Sequence, residues 1–368
     1  MKRWLLGVLA VVVVLIVLVI AAPIIALRVL NGILATAPDY VATASDLRLL
    51  PLEGAVAVDG IRFVRPDVPD ASPFLDVQRV VVRPHLRSLL HGDVIVDVVV
   101  EAPTVTLVVG PTESTSQKGI DPEWVAGVLR EYHVTLDRLR LMRGTVNYHD
   151  LAAKPDVALA LTGLDVEGTN LANLTQSPDE KFAHVTAKAN VFDSGALEAE
   201  IDLASYLQPL TFALEANARH VPLVRMNSAL RAYGGFDVGA GTATVAMSMS
   251  SKDGGYSGKA DTVLTHVKFA ANDQQQAEPE KKNVVQSAKE AVMGAGKDVA
   301  EVTSKGEDQI RVPFKFHGHV DGATLIGDPV SLVPKTWFRS LLPSPGPADS
   351  DKKADEAAPI AAKEKDSK

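Results

Sequence analysis

Apolar and polar residues alternate at every second position through most of this chain, and that period constrains the fold more than any other feature. Successive side chains of a β-strand point to opposite faces, so a period of two marks a strand with one buried face. Such runs recur from residue 56 to residue 320 and are separated by turn sequences such as Arg143-Gly144 and Asp321-Gly322. A dozen or more strands with short turns predict a mainly β fold, built as a meandering antiparallel sheet with a few short helices.

The N-terminal region contains an uncharged run of 24 residues, from Trp4 to Leu27, between Arg3 and Arg28. A helix needs about 20 apolar residues to cross a bilayer, so this run is predicted to form one transmembrane helix. The charges at residues 1–3 predict a cytoplasmic N-terminus, with the bulk of the chain on the other side. The alternative is a cleaved signal peptide, but its apolar region would be only about 7 to 15 residues long.

Composition excludes several classes of chemistry and partner. The chain has no Cys, and therefore no disulfide, metal thiolate or thiol nucleophile. Its net charge of −8 gives no indication of a nucleic-acid partner. A contact with lipid outside the anchor is expected to be apolar, because a negative domain is not attracted to anionic headgroups.

The pattern divides the chain into five regions. We predict a membrane anchor at 1–30, a β-rich region at 31–270, a polar loop plus amphipathic helix at 271–309, closing strands with a short amphipathic element at 310–342, and a disordered tail at 343–368. The amphipathic element carries four large apolar residues, Trp337, Phe338, Leu341 and Leu342. It is typical of an interfacial membrane segment; the alternative, which we favour, is a lid packed on the end of the sheet.

Catalytic and metal-binding motifs are weak. His317 and His319 share one face of a predicted strand, but no third ligand with recognisable spacing accompanies them. Tyr148-His149-Asp150 could orient a general base, yet the chain has no G-x-S-x-G nucleophile turn. No phosphate-binding glycine motif is present either. We therefore expect no enzymatic activity, no metal and no cofactor.

Several segments resemble the AsmA-like proteins, and most closely the DUF748 type. They are Arg87-Ser88-Leu89-Leu90-His91-Gly92, Val94-Ile95-Val96, Pro103-Thr104-Val105-Thr106-Leu107, Arg143-Gly144-Thr145-Val146-Asn147-Tyr148-His149-Asp150, Tyr233-Gly234-Gly235-Phe236-Asp237-Val238 and Phe314-Lys315-Phe316-His317-Gly318-His319-Val320. Each motif alone is unspecific, but their order covers most of residues 45 to 342.

The resemblance implies a single-pass protein of the bacterial inner membrane, with its bulk in the periplasm and a role in envelope biogenesis. It also implies a long curved antiparallel sheet whose groove binds or conducts phospholipid, as in bridge-like lipid-transfer proteins. About 14 strands at roughly 4.8 Å spacing give a sheet of about 65 Å, which is short for a bridge across the periplasm. To bridge the periplasm, the chain would then need to self-associate or to bind another envelope protein.

The apolar run after residue 93 supplies the candidate groove lining: Val94, Val96, Val98, Val105, Leu107 and Val109. A strand that is apolar on both faces is usually buried on both sides, but it would also suit an acyl-chain groove. The alternative function is a non-enzymatic scaffold of the envelope, in which the same sheet has a closed, filled core.

Overall fold

The computed structural model describes residues 21–66, 72–89, 91–92, 94–131, 134–171, 183–192, 194–205, 211–252, 254–269, 303–304 and 309–319. The strands are β1 Val41–Thr43, β2 Asp46–Leu50, β3 Ala55–Val64, β4 Leu75–Pro84, β5 Val94–Val109, β6 Val134–Asp150, β7 Val157–Thr169, β8 Ala183–Val191, β9 Gly195–Ser205, β10 Thr211–Pro222, β11 Val238–Lys252, β12 Gly255–Phe269, β13 Thr303–Ser304 and β14 Gln309–His319. The helices are α1 at residues 21–34, α2 Leu86–Leu89, α3 Pro122–Glu131 and α4 Asn227–Ala229, with 3₁₀ turns at Glu113–Thr115 and Leu223–Met226 and a π turn at Leu230–Gly234.

All fourteen strands belong to one sheet, and this confirms the prediction of a mainly β fold with few helices. From β3 to β12 the order of strands in the sheet follows their order in the chain. At one edge, β1 and β2 both pair with β3; at the other, β14 pairs with β12 and carries β13 on its outer side.

The expectation of a wholly antiparallel sheet is wrong at one place, because β5 and β6 run parallel. The segment between them contains α3, which carries the chain back to the end of the sheet where β5 begins. Parallel neighbours need such a crossover connection. Asp121 starts this helix by accepting a hydrogen bond from the backbone N–H of Glu123 at 2.9 Å. The α3 pattern is visible in the sequence, but its effect on strand direction is not.

The strand pairings define two ends of the sheet. We call the end where β3 and β6 begin the lower rim, and the end where they finish, at Val64 and Asp150, the upper rim. Since β4 is antiparallel to β3, it ends at the lower rim, where α2 follows directly.

A line of left-handed residues crosses the middle of several neighbouring strands. Gly60, Ala102, Arg143 and Gly163 all have φ between 46° and 62°. In β6 and β7, the strand pairing shifts register at these positions, beside Arg143 and Gly163. Irregularities of this kind bend strands and increase their twist. They also change which residues share a face, so the inward positions of β5 switch from even to odd numbers after Ala102.

Helix α1 packs onto the first strands. Leu27, Leu30 and Leu34 follow a helical spacing and contact a core cluster that includes Tyr40, Phe63 and other residues of β1–β4. Leu27, expected at the end of the membrane span, therefore lies on a helix that continues to residue 34. Among the described residues, no helix is long and apolar enough to span a membrane. Residues 4–20 of the predicted span lie outside the described part of the chain.

Candidate functional site

One face of the sheet is apolar across nearly its whole width. Cross-strand partners share a face, so the pairing registers can be followed from strand to strand. The middle row of this apolar face is Leu47, Val58, Val80, Val100, Leu141, Val166, Ala187, Ala199, Ala216, Met247, Ala260 and Phe314. Twelve strands each contribute one residue, and none of the twelve is polar.

The next row towards the lower rim has the same character. Its members are Leu49, Val56, Val82, Val98, Leu139, Gly168, Val185, Ile201, Leu214, Met249, Gly258 and Phe316. Twelve strands at about 4.8 Å spacing correspond to about 50 Å along the sheet. The apolar face is therefore a strip two rows deep and many strands long.

The opposite face, which we call the polar face, is polar or charged from β6 to β14, whereas Ala57 of β3 and Val81 of β4 form a small buried apolar cluster there. The row between the two apolar rows points there: Arg48, Ala57, Val81, Val99, Arg140, Glu167, Thr186, Glu200, Glu215, Ser248, Lys259 and Lys315. Ion pairs such as Arg311 with Asp261 and Arg219 with Glu198 join neighbouring strands on this face. From β6 to β14, the water-facing side of the sheet is thus identified by its polar and charged residues.

Burial along the apolar face differs between its ends and its middle. Leu47 and Val58 at one end and Phe314 at the other are buried. In the middle, residues such as Val166 and Met247 are only half-buried. Adjacent strands therefore shield these side chains only in part. Among the described residues, nothing covers them completely, and water still reaches them. Half-exposed apolar side chains in continuous rows form a surface that an apolar ligand can cover.

The upper rim of the apolar face is closed by a cap, residues 223–236, which joins β10 to β11. Leu223, Ala229 and Leu230 of the cap are buried in a cluster with Val157 and other residues from the upper ends of the strands. Gly235 ends the helical turns with φ of 82°. The cap gives this end of the face a filled core.

A buried polar group fixes the cap to the sheet. The Tyr233 hydroxyl donates to Asp150 Oδ2 at 2.6 Å and lies 3.2 Å from the Tyr148 hydroxyl. Asp150 Oδ1 accepts from the backbone N–H groups of Ala152 and Ala153. Burial and the hydrogen bond to Asp150 raise the pKa of the Tyr233 hydroxyl above its ordinary value. Every one of these bonds stabilises the loop and the cap, so we assign the Tyr148-His149-Asp150 motif to structure.

The six lining residues predicted from sequence all lie on the apolar face. In β6 they pair with residues from Val134, opposite Val94, to Asp150, opposite Val109. Two of these partners, Leu139 and Val146, belong to that face. Val96 is buried and the other five are half-buried. Val105 and Leu107 pack against the core cluster below α1, together with Trp124 of α3. Among the six, Val98 lies in one of the two continuous rows.

The residues of β6 to β14 that form most of the apolar face were not predicted as lining. Their period of two is visible in the sequence, for example Leu197, Ala199, Ile201 and Leu203 against Glu198, Glu200 and Asp202. That period identifies an inward face in each strand. It does not show that these faces join into one surface.

The described residues contain one grouping of possible metal ligands, namely His85, Asp97 and Asp137, whose ligand atoms lie within 4.8 Å of one another. A register shift between β5 and β6 brings Asp137 beside Asp97. His85 Nε2 lies 3.0 Å from Asp97 Oδ1, and all three side chains are partly exposed. We interpret this group as a surface His–Asp pair beside a second carboxylate.

The remaining sequence candidates fall on the polar face or outside the described residues. His317 and His319 are exposed on β14. Trp4 and the segment with Trp337, Phe338, Leu341 and Leu342 lie outside the described part of the chain. Comparison of the sequence with protein-family models and with curated proteins gives no match.

Proposed function

We propose that this chain is a non-enzymatic, single-pass protein of the bacterial inner membrane that binds or conducts phospholipid along its apolar face in the periplasm. One observation carries the proposal: two adjoining rows of apolar or glycine residues run without interruption over twelve strands, and their middle part is only half-buried. A sheet that served only as a scaffold needs a filled core along its whole length, whereas the described residues fill the apolar face under α1 at one edge and under the cap at the upper rim.

Hydrocarbon is the ligand that this surface suits. Each CH₂ group of an acyl chain that leaves water for an apolar surface contributes up to about 0.8 kcal/mol. Val185, Ile201 and Leu214 offer branched side chains at adjacent positions, with no hydrogen-bonding group among them. The curvature expected from the kinked strands would turn this face into a groove. The headgroup would stay at a rim, in water.

The anchor and the location rest on the sequence. The uncharged run from Trp4 to Leu27 follows the only early cluster of positive charge, at residues 1–3. By the positive-inside rule, the sheet then lies on the non-cytoplasmic side. α1 is the continuation of that run into the described structure.

Lipid content of the purified protein tests the proposal. The chain is extracted in a mild detergent, exchanged into amphipol, and measured by native mass spectrometry followed by lipid extraction. We expect co-purifying phospholipid in the wild type. Leu214→Asn places an amide on the apolar face, and the bound lipid should fall to a small fraction of the wild-type amount.

Ala213→Asn is the matched control, because Ala213 is the preceding residue of β10 and is exposed on the polar face. It should retain the wild-type amount of lipid. A wild-type protein without bound phospholipid, or an equal lipid content in both variants, would remove the groove and leave the scaffold function in its place.

A further inference from the structure

Four exposed leucines lie together at the lower rim, at the N-terminal edge of the sheet. Leu52 is fully exposed, at 102% of its reference area, in the turn between β2 and β3, and Leu49 precedes that turn. Leu86 is 67% exposed and Leu89 is also exposed, one helical turn apart on α2. Because Val56 of β3 pairs with Val82 of β4, the turn and α2 project from neighbouring strands at the same rim. Together they form an apolar edge, Leu49, Leu52, Leu86 and Leu89.

The direction of α1 relates this leucine edge to the anchor. The Asn31 side chain makes two hydrogen bonds to the backbone of Ala44, at 2.7 and 3.0 Å. Between them the chain reverses at residues 35–40 and enters β1 at the upper rim, where Val41 pairs with Val64. The chain then descends along β2 to Leu50, which pairs with Ala55. α1 therefore runs alongside β1 and β2 in the opposite sense, and its N-terminal end points towards the lower rim.

The distances agree with this arrangement. From residue 31 back to residue 21, a helix extends about 15 Å. The same distance along a strand from Ala44 reaches about residue 48 or 49. Ile24 and Ile25 of α1 are exposed over this stretch. The N-terminal end of α1, at residue 21, thus lies towards the side of the molecule that carries the leucine edge.

Charges around the leucine edge do not oppose contact with a lipid surface. Glu53, in the β2–β3 turn, is paired with Arg83 at 3.3 Å. Arg87 lies on α2 between the two leucines and is exposed. Apolar residues on one side of a helix with a cation nearby are typical of membrane interfaces.

We infer that the leucine edge rests in the interfacial layer of the bilayer that holds the anchor, so that the lower row of the apolar face meets the membrane at Leu49. The occupant of this edge is a lipid bilayer. The inference depends on the anchor in the proposed function but not on lipid binding in the groove. It gives the apolar face a defined entry, from the outer surface of the anchoring membrane.

Single-cysteine labelling tests this contact directly, because the chain has no Cys of its own. Leu52→Cys and Leu86→Cys are labelled with an environment-sensitive nitrobenzoxadiazole dye in the full chain. The protein is reconstituted in vesicles of phosphatidylethanolamine and phosphatidylglycerol that contain a nitroxide lipid. We expect a blue-shifted emission at both positions and quenching by about twofold, as for groups buried near the headgroup boundary.

Leu151→Cys and Val224→Cys are the matched controls, since these residues are 49% and 47% exposed at the upper rim. Their labels should behave as in water. If the labels at Leu52 and Leu86 are quenched no more than the controls, or if the controls are the quenched pair, the inference is overturned. Lipid content measured on the same purified variants in amphipol, before reconstitution, separates this outcome from a failure of the groove, because lipid can co-purify with a domain that stands away from the bilayer.

Discussion

Leu230→Ala should detach the cap from the upper rim while the rest of the sheet remains folded. Leu230 is 1% exposed and lies in the cluster that joins the cap to Val157 and Leu264. Leu→Ala removes three carbon atoms, which is about 2.4 kcal/mol at about 0.8 kcal/mol per buried CH₂. The cavity left behind raises the loss to between about 2.7 and 5 kcal/mol, since close neighbours relax only in part.

Hydrogen exchange measures this loss where it occurs. The backbone N–H of Val238 donates to Asn227 Oδ1 at 3.0 Å, and that of Gly235 donates to the carbonyl of Arg231 at 3.0 Å. The first bond ties the cap to the start of β11, and the second closes the last turn of the cap. A loss of about 2.7 kcal/mol corresponds to about 100-fold faster exchange of these amides, at about 1.4 kcal/mol for each factor of ten.

Val224→Ala is the control within the same cap. Val224 is exposed, and a surface substitution of this kind changes stability by less than about 0.5 kcal/mol. Equal exchange rates in the two variants, or unchanged exchange at Val238 in Leu230→Ala, would refute the claim that the cap is held by its buried cluster.

Three further changes test the polar contacts. Tyr233→Phe removes the hydroxyl that donates to Asp150 and should lower the free energy of unfolding by about 1 to 3 kcal/mol in urea titrations; a variant as stable as the wild type would contradict the role of this bond. Asn227→Ala loses both hydrogen bonds to the Val238 backbone and should lower the melting temperature, whereas an unchanged melting curve would show that these bonds are dispensable. Burial raises the pKa of Tyr40 from 10.0 to about 12, so the folded state holds a proton that the unfolded state loses above pH 10. This contribution to stability is therefore complete below pH 10 and lost as the pH rises to about 12; Tyr40→Phe should flatten that part of the curve of stability against pH, and an identical alkaline slope in both proteins would argue against it.

The local sequence pattern was sufficient to predict many of the strands and helix α3. It was not sufficient to predict that β6 runs parallel to β5. Strands such as Gly195–Ser205 could be read from their alternation, and α3 from Asp121-Pro122 and the apolar positions that follow. The parallel pairing of β5 with β6 could not be read, because strand direction depends on where α3 returns the chain. Helix α1 extends past the change in hydropathy at Arg28, to residue 34, because Leu30 and Leu34 pack on the sheet.

The sequence located one strand of the apolar face but not the extent of that face. Six residues of β5 were expected to line a groove, and they share the apolar face that the structure shows. The larger part of that face comes from later strands, as far along the chain as β14 with Phe314 and Phe316. Its continuity depends on the pairing registers of neighbouring strands, such as Val166 with Ala187 and Met247 with Ala260, which keep their inward sets aligned. No single strand contains that information.

The sequence by itself determined that the protein is mainly β and lacks cysteine chemistry, and which residues of each strand face inward, since a period of two is a property of one strand. The tertiary structure decided how those inward faces join, because register between strands is settled by turns, bulges and contacts distant in sequence. It also decided which part of the apolar face is closed. The upper rim is filled because Leu230 and Tyr233 find partners on other strands, while the middle rows have side chains that water still reaches.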